Sequence, residues 1–437
     1  MVLAALVYLG MRVVSAVVLL LVQRHQPVYF WLDNRPYLGM TMHWDSRWFQ
    51  EIAMTGYPRH LPVNYGLLQH RLLERDRVLE DRFLLHDRAH LRDPLLVREH
   101  LHQAELRLHE LRRRNAQVGQ NQWAFYPAFP FITRAVMVVT GTGFAVAAGI
   151  VNLSAGAVAA GGIARLMEVR IPRVPALGVV AAWAALPMAP TLQLAYSEAV
   201  AMALVAVALL WIVGEHWLRA SVAALALGLA RPIVPPLAVV YAAALALRWR
   251  RRGSEPLTSG ELGRMGVGLG LTALGAVLWP LLAWRVTGVR DAYLRTEDAW
   301  HHGDTAPFTG LQVLDAVPLS GHPGLPLWTR LMVVGAIVLV LALTVLATRS
   351  PRLHPLLVVW CGAYLVYDLA VSNMHAAELR MLLPLFPLLA VACGVASTRI
   401  SPWWRQRVWL LVALGIVGQL GWVWFFVRYI AHGSQPS

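Results

Sequence analysis

Apolar runs long enough to cross a lipid bilayer recur along almost the whole chain, and they constrain its fold more than any other feature. A helical crossing takes about 20 apolar residues. Candidate spans lie at 2–22, 148–166, 174–192, 199–213, 219–231, 233–248, 265–284, 329–348, 355–371, 381–397 and 408–427. The expected fold is all-α and polytopic, with about eleven transmembrane helices. Only 14% of the 437 residues are charged and 57% are hydrophobic, which excludes an ordinary soluble domain. The run 2–22 has no small-x-small cleavage site, so it reads as an uncleaved first span rather than a signal peptide. Cys361 and Cys393 both sit in apolar segments, which indicates neither a disulfide framework nor a zinc site.

All 38 basic residues are Arg. G+C-rich coding accounts for that bias and points to a high-G+C bacterium. The net charge of +14 follows from Arg at the ends of spans and does not call for nucleic acid. The clusters Arg165/Arg170/Arg173, Arg248/Arg250/Arg251/Arg252, Arg349/Arg352 and Arg399/Arg405/Arg407 are expected to share the cytoplasmic side. With the N-terminus inside, the loop after the first span falls outside. An odd number of crossings must then separate that loop from Arg165. The apolar run 129–147 is therefore expected to lie at the outer interface or dip back, with 148–166 as the second span. The same count puts Tyr196-Ser197-Glu198, Arg231-Pro232, the 285–327 loop and His375-to-Arg380 on the outer face with Asp45. The expectation is a multi-pass protein of a bacterial plasma membrane whose unusual polar residues converge on the extracytoplasmic face.

Residues 59–121 differ from the rest, with 12 Arg, 9 Asp or Glu and 7 of the 16 His. Leu72, Leu79, Leu101 and Leu108 sit among apolar residues at helical spacing, and Pro94 interrupts the run. Two amphipathic helices, about 66–91 and 95–114, are expected as a charged hairpin inserted in the first outer loop of a single 1–437 membrane domain. A solvated hairpin is the plain reading; a docking surface for a protein partner or anionic lipid is the sharper one. His86 and His90 have the spacing of a metal pair, but no motif of carboxylates and His completes it. No metal or other cofactor is indicated.

His43-Trp44-Asp45-Ser46-Arg47-Trp48-Phe49 sets a carboxylate among aromatic rings at the membrane surface. The rings are ordinary interfacial anchors. Asp45 either serves as a general base tuned by its low-dielectric surroundings or caps the helix expected over Ser46-to-Ala53. Glu198 is an acid at the outer end of a span, so it is paired or functional. Arg231 and Arg380 stand at outer helix junctions against the positive-inside trend, and guanidinium suits forked contacts with phosphate oxygens. A lone Arg there more often snorkels to headgroups. The proline-kinked segment 123–131, with Trp123, Phe125 and Tyr126, either shapes a groove for an isoprenoid chain or forms an aromatic belt. In the polar loop 291–304, Trp300 has the shape to stack on a sugar ring, while Glu297, His301, His302 and Asp304 have weak metal spacing. The chain has no Walker loop, no GxGxxG opening a helix and no GxSxG, so ATP-driven transport and hydrolase chemistry lose support.

Taken together, these residues resemble the GPI mannosyltransferase II-type enzymes and their bacterial relatives, within the GT-C membrane glycosyltransferases. The first familial pattern matches His43-Trp44-Asp45, Phe49, Ile52-Ala53 and Gly56-Tyr57, and the second matches Asn121-to-Pro130. Tyr196-Ser197-Glu198, Arg231, the region of Trp300 and the Arg380-to-Pro387 run follow in the right order. The resemblance implies a GT-C-like fold and an α-mannosyl transfer, with inversion, from a polyprenyl-phosphate donor to an acceptor outside the cytoplasm. It implies Asp45 as general base, Arg231 and Arg380 on the leaving phosphate, and Trp123, Phe125 and Tyr126 along the isoprenoid. His43, Trp44, Tyr196, Glu198 and Trp300 would orient sugar or acceptor. The 60–120 insert departs from the pattern and leaves glycolipid, glycan and protein acceptors open. The alternative from another class is a transporter or flippase of lipid-linked sugars. A third is a non-catalytic protein that recruits a partner through the hairpin.

Overall fold

A computed structural model describes residues 1–27, 35–62, 118–300, 327–371 and 376–428. The expected hairpin helices, with His86 and His90, lie outside the described residues, as do His301, His302 and Asp304. Among the described residues the chain is all-helical, with no strand. The helices are α1 (Val2–Gln23), α2 (Pro36–Thr41), α3 (Ser46–Thr55), α4 (Ala128–Thr140), α5 (Phe144–Glu168), α6 (Arg173–Ala185), α7 (Glu198–Val213) and α8 (Trp217–Leu227). There follow α9 (Val234–Arg250), α10 (Ser259–Thr287), α11 (Ala292–Trp300), α12 (Leu327–Thr348), α13 (Pro355–Val371), α14 (Leu388–Ala392) and α15 (Trp404–Trp422). The chain divides into two compact units. The first comprises Met1–Gly56, Phe125–Trp279 and Ala306–Ser437; the second comprises Tyr57–Ala124 and Pro280–Thr305.

Four helices among the described residues are long and apolar enough to cross a membrane: Val2–Gln23, Phe144–Glu168, Ser259–Thr287 and Trp404–Val427. The outer surface of α1 shows why such helices suit lipid. Leu6, Val13 and Val17 point outward, while Arg12 and Ser15 are buried. That is the reverse of a soluble helix, because hydrocarbon rewards apolar groups outside and forces polar groups to find partners inside. Helix α15 likewise exposes Trp409, Leu410, Leu414 and Val417. Its inner face approaches α6 so closely that a Cβ on Gly415 would lie 2.2 Å from the carbonyl oxygen of Ala185.

Several boundaries differ from expectation. The run 129–147 is helix α4, ended by Gly141 in the left-handed region at φ 69°, and the next helix starts at Phe144 rather than 148. With 13 residues, α4 reaches about 20 Å, short of the hydrocarbon thickness. Helix α8 stops at Leu227, four residues before Arg231. The polar loop expected over 291–304 is helical from Ala292 to Trp300, with Arg295 paired to Asp291 at 2.9 Å one turn earlier.

Two expected spans are not continuous helices. The run 174–192 breaks after Ala185 and passes through a 3-10 turn at Ala189–Gln193. The run 381–397 corrects to a 3-10 segment, Ala376–Leu385, followed by the short α14. Prolines explain both interruptions: Pro187 and Pro190 in one, Pro384 and Pro387 in the other. Each break frees backbone carbonyls, and side chains from neighbouring helices take them up. At the first break the Arg12 guanidinium donates to the carbonyls of Ala184 and Ala189, and the Tyr8 hydroxyl donates to Leu192 at 3.3 Å. Gln419 donates to Ala185 at 3.1 Å, and Asn152 donates to Leu194 and, at 3.1 Å, to Tyr196. At the second break the indoles of Trp183 and Trp360 donate to Leu383 at 3.3 Å and Pro384 at 2.8 Å, and the Tyr364 hydroxyl donates to Met381 at 2.7 Å.

Several residues of the Arg clusters are tied to neighbouring segments. Arg170 donates to the Pro351 carbonyl and Arg352 to that of Thr398, each at 3.1 Å. Arg248 forks onto Glu261 at 2.8 and 2.9 Å. In the second unit Asn121 donates to Thr296 at 3.1 Å and the Trp123 indole donates to the Pro58 carbonyl at 3.0 Å.

Replacing Arg12 tests the first break. Arg12→Leu strands two buried carbonyls, each costing about 1–3 kcal/mol. The melting temperature in detergent should fall clearly, and Arg12→Lys should fall less. An unchanged melt would show that the break does not depend on this guanidinium.

Candidate functional site

The two broken segments and two helix junctions of the first unit bring four charged side chains together. Asp45 occupies the N-cap position of α3, yet its backbone is right-handed helical (φ −55°, ψ −25°) and its side chain makes no capping bond. The carboxylate instead accepts from Arg380 Nη1 at 3.0 Å. The helix-cap explanation for Asp45 therefore falls away. Arg380 comes from the 3-10 segment at 376–385, and its Nε lies 3.7 Å from Glu198 Oε1. Arg231, in the junction between α8 and α9, places Nη1 at 3.0 Å from the same oxygen. Acid and guanidinium thus alternate: Asp45, Arg380, Glu198, Arg231.

The local chain explains each position. Glu198 is the first residue of α7, where the helix N-terminus favours a carboxylate. Just before it, Asn152 holds the Tyr196 carbonyl, and Ala195 N–H donates to the Thr41 carbonyl of α2 at 2.9 Å. Those bonds fix Tyr196 beneath Arg380, whose guanidinium lies 5.4 Å from the ring centroid. The Tyr367 hydroxyl of α13 donates to the Pro232 carbonyl beside Arg231. Side-chain exposures of 4% for Glu198, 17% for Arg231, 13% for Arg380 and 20% for Asp45 keep the four charges largely out of solvent. Their mutual attraction is correspondingly little screened.

Glu198, Arg231 and Arg380 line a small pocket whose remaining wall is mostly apolar: Ala201, Met202, Ile233, Met381, Leu383 and Pro384, with Tyr364. The pocket lining therefore combines two guanidinia with a mostly hydrocarbon surface. Burial holds the Asp45 carboxyl above the usual carboxylate range; Arg380 pulls the other way and Glu198 adds to the rise. Burial, reinforced by Asp45, pushes the Tyr196 hydroxyl well above its ordinary value. Tyr196 is therefore a hydroxyl, not a phenolate, at neutral pH.

Other expected site residues are arranged differently. His43 Nδ1 and Trp44 Nε1 both engage the Val427 carbonyl oxygen, at 2.9 and 3.1 Å. Phe125 stacks on Trp48 at 5.7 Å and meets Phe49 edge-on, and Tyr126 is buried against Trp279. Trp123 and Trp300 belong to the second unit. Trp123 is buried there beside Tyr57, and Trp300 Nε1 reaches the Asn121 carbonyl at 3.5 Å. Trp123 and Tyr126 are thus both buried side chains. Tyr364 and Asp368 join the site neighbourhood without having been expected; an acid inside the apolar run 355–371 is the signal that marks them. Among the described residues, no group of three or more His, Cys, Asp or Glu side chains is arranged to hold a metal.

Compared with known proteins, the chain matches no family model and no curated relative.

The ion cluster predicts a coupling that needs no assay of function. Glu198→Ala leaves Arg231 and Arg380 facing one another without their shared carboxylate, a change expected to cost about 3 kcal/mol. Adding Arg231→Met should recover part of that loss in thermal melts of the purified protein. Additive losses would show that the two residues are not paired.

Proposed function

We propose that the protein is an inverting glycosyltransferase of the bacterial plasma membrane. It moves mannose from a polyprenyl-phosphate carrier to an extracytoplasmic acceptor. The observation that carries this reading is the convergence of Asp45, Glu198, Arg231 and Arg380, from four separate segments, in one ion cluster, of which Glu198, Arg231 and Arg380 line a pocket with a mostly apolar wall. The motif order resembling GT-C mannosyltransferases, and the four apolar helices among the described residues long enough to cross a membrane, support it.

In this reading Asp45 takes the proton from the acceptor hydroxyl. The hydroxyl oxygen attacks the anomeric carbon from the face opposite the phosphate. The carbon–oxygen bond to phosphate breaks, and its electron pair leaves with the polyprenyl phosphate. Arg231 and Arg380 stabilise the growing charge on that phosphate. As Asp45 gains a proton it loses its charge, and the phosphate gains one. Arg380, which starts on Asp45, is freed toward the phosphate as its carboxylate partner is neutralised. The cluster therefore keeps its net charge through the step, which matters where solvent cannot screen it. The polyprenyl chain lies along the wall formed by Ala201, Met202, Ile233, Met381 and Leu383. No cofactor is needed for this chemistry. The acceptor is a glycolipid, glycan or protein, and the charged 60–120 segment is the natural place for a partner to influence it.

A transporter or flippase of lipid-linked sugars is the second reading. Broken helices near the site favour it, since transporters bind substrates at such breaks. Against it, side chains of neighbouring helices already hold backbone carbonyls at both breaks.

Transfer of label from polyprenyl-phosphate-mannose in membranes tests the proposal. Asp45→Asn should abolish transfer while expression and melting stay near wild type; full activity would remove Asp45 as base. Arg231→Ala should raise the apparent donor requirement, and unchanged donor dependence would take Arg231 off the phosphate. The base must be ionised, and burial raises its pKa. Activity should therefore rise with pH through an acid limb above the ordinary carboxylate range. Arg380→Gln removes a cation that lowers the Asp45 pKa, so in that variant the limb should move to higher pH.

A further inference from the structure

We infer that His43 and Trp44 are positioning residues: they latch the Asp45 turn to the end of the last membrane helix and thereby aim the carboxylate at Arg380. The inference rests on the reading of Asp45 as the base, and it replaces sugar contact as the role of these two side chains.

Trp44 is one of two non-glycine residues among those described with positive φ, at 54°. A bulky side chain adopts that conformation only where its surroundings over-determine it. Here they do. The Trp44 indole and the His43 imidazole converge on one acceptor, the carbonyl oxygen of Val427. His43 is 3% exposed, and its own carbonyl accepts the Ser46 hydroxyl. One carbonyl oxygen has two lone pairs, so both donors can be served together.

The acceptor is built as deliberately as the donors. Val427 closes a π-helical turn, Val423–Val427, that widens the end of α15. Arg428 then leaves the helix in an extended conformation, with its N–H on the Val423 carbonyl at 3.0 Å. Terminal helix carbonyls have no partner within their own helix, so the Val427 oxygen is available to another segment. Single π turns recur at functional sites for this kind of re-aiming. The turn is itself anchored: Arg428 lies 4.0 Å over the Trp424 ring, and Trp424 packs on His25 beyond the end of α1, at 5.3 Å.

The consequence falls on the next residue. An Asp at an N-cap ordinarily takes an extended backbone and bonds the amides of the first turn. Asp45 takes neither option and reaches Arg380 instead. The strained Trp44 peptide is what separates these two orientations. Without the latch, Trp44 relaxes, Asp45 falls back to capping α3, and Arg380 loses it.

Three variants test this. His43→Leu removes one donor, Trp44→Phe removes the other while keeping the ring, and His43→Asn keeps a donor near the Nδ1 position. Hydrogen exchange on the purified full chain needs no substrate. His43→Leu and Trp44→Phe should exchange faster at 43–46 and 423–428 and nowhere else, with His43→Asn like wild type. Unchanged exchange in both would overturn the latch whatever the activity. In the transfer assay the two disrupting variants should lose kcat by about a hundredfold, with donor and acceptor KM unchanged. A raised KM with kcat intact restores the sugar-contact role and also overturns the latch. Full activity of Asp45→Asn defeats the base reading separately, and the exchange experiment still decides whether the latch exists.

Discussion

The fold depends on hydrogen bonds supplied to backbone that has left the helix inside an apolar surround. Where α6 stops at Ala185, the freed carbonyls have no water to turn to, and a buried Arg12 guanidinium takes two of them. Arg12 is costly to bury, and it is tolerable because the end of α6 presents aligned carbonyl dipoles. Tyr8, Asn152 and Gln419 complete the collar. The second break, between α13 and α14, is held the same way by Trp183, Trp360 and Tyr364. Proline creates each irregular segment, and donors from distant parts of the chain make it permanent.

That rigidity is what gives the charged cluster its geometry. Glu198 follows directly from the first break and Arg380 lies within the second. Regular helices would have sent both side chains wherever a 3.6-residue period dictates. Broken segments set them side by side, 3.7 Å apart, in the lining of one pocket. The cluster itself is electrically balanced, two acids against two guanidinia, which lets it sit at low exposure without a counter-ion. An incoming phosphate and a departing proton can exchange charge across Arg380 without leaving the cluster unbalanced.

The anatomy also changes the meaning of the aromatic residues. Tyr126 and Trp123 are buried within their respective units, half-buried Phe125 stacks on Trp48, and the His43 and Trp44 ring nitrogens face the Val427 carbonyl. Aromatic residues near a membrane surface advertise a site in a sequence, but their role depends on which neighbours meet their polar edges.

The sequence alone determines a good deal here. Hydropathy marks the apolar segments, because burying about 20 residues in hydrocarbon demands continuous composition that no tertiary contact can supply afterwards. Topological counting, applied to Arg clusters, assigns Asp45, Glu198, Arg231 and Arg380 to one face, and the first unit does unite them. Helix continuity was less legible. The prolines of 187–190 and 384–387 were visible, yet apolar composition reads the same whether the backbone is helical or broken. Tertiary structure alone decided that Asp45 pairs with Arg380 instead of capping α3, that both arginines share Glu198, and that Val427 accepts from His43 and Trp44. Those outcomes depend on groups well separated in sequence, by up to 384 residues, meeting at 2.9–3.7 Å, a condition that local pattern, with its period of 3.6 residues, does not encode.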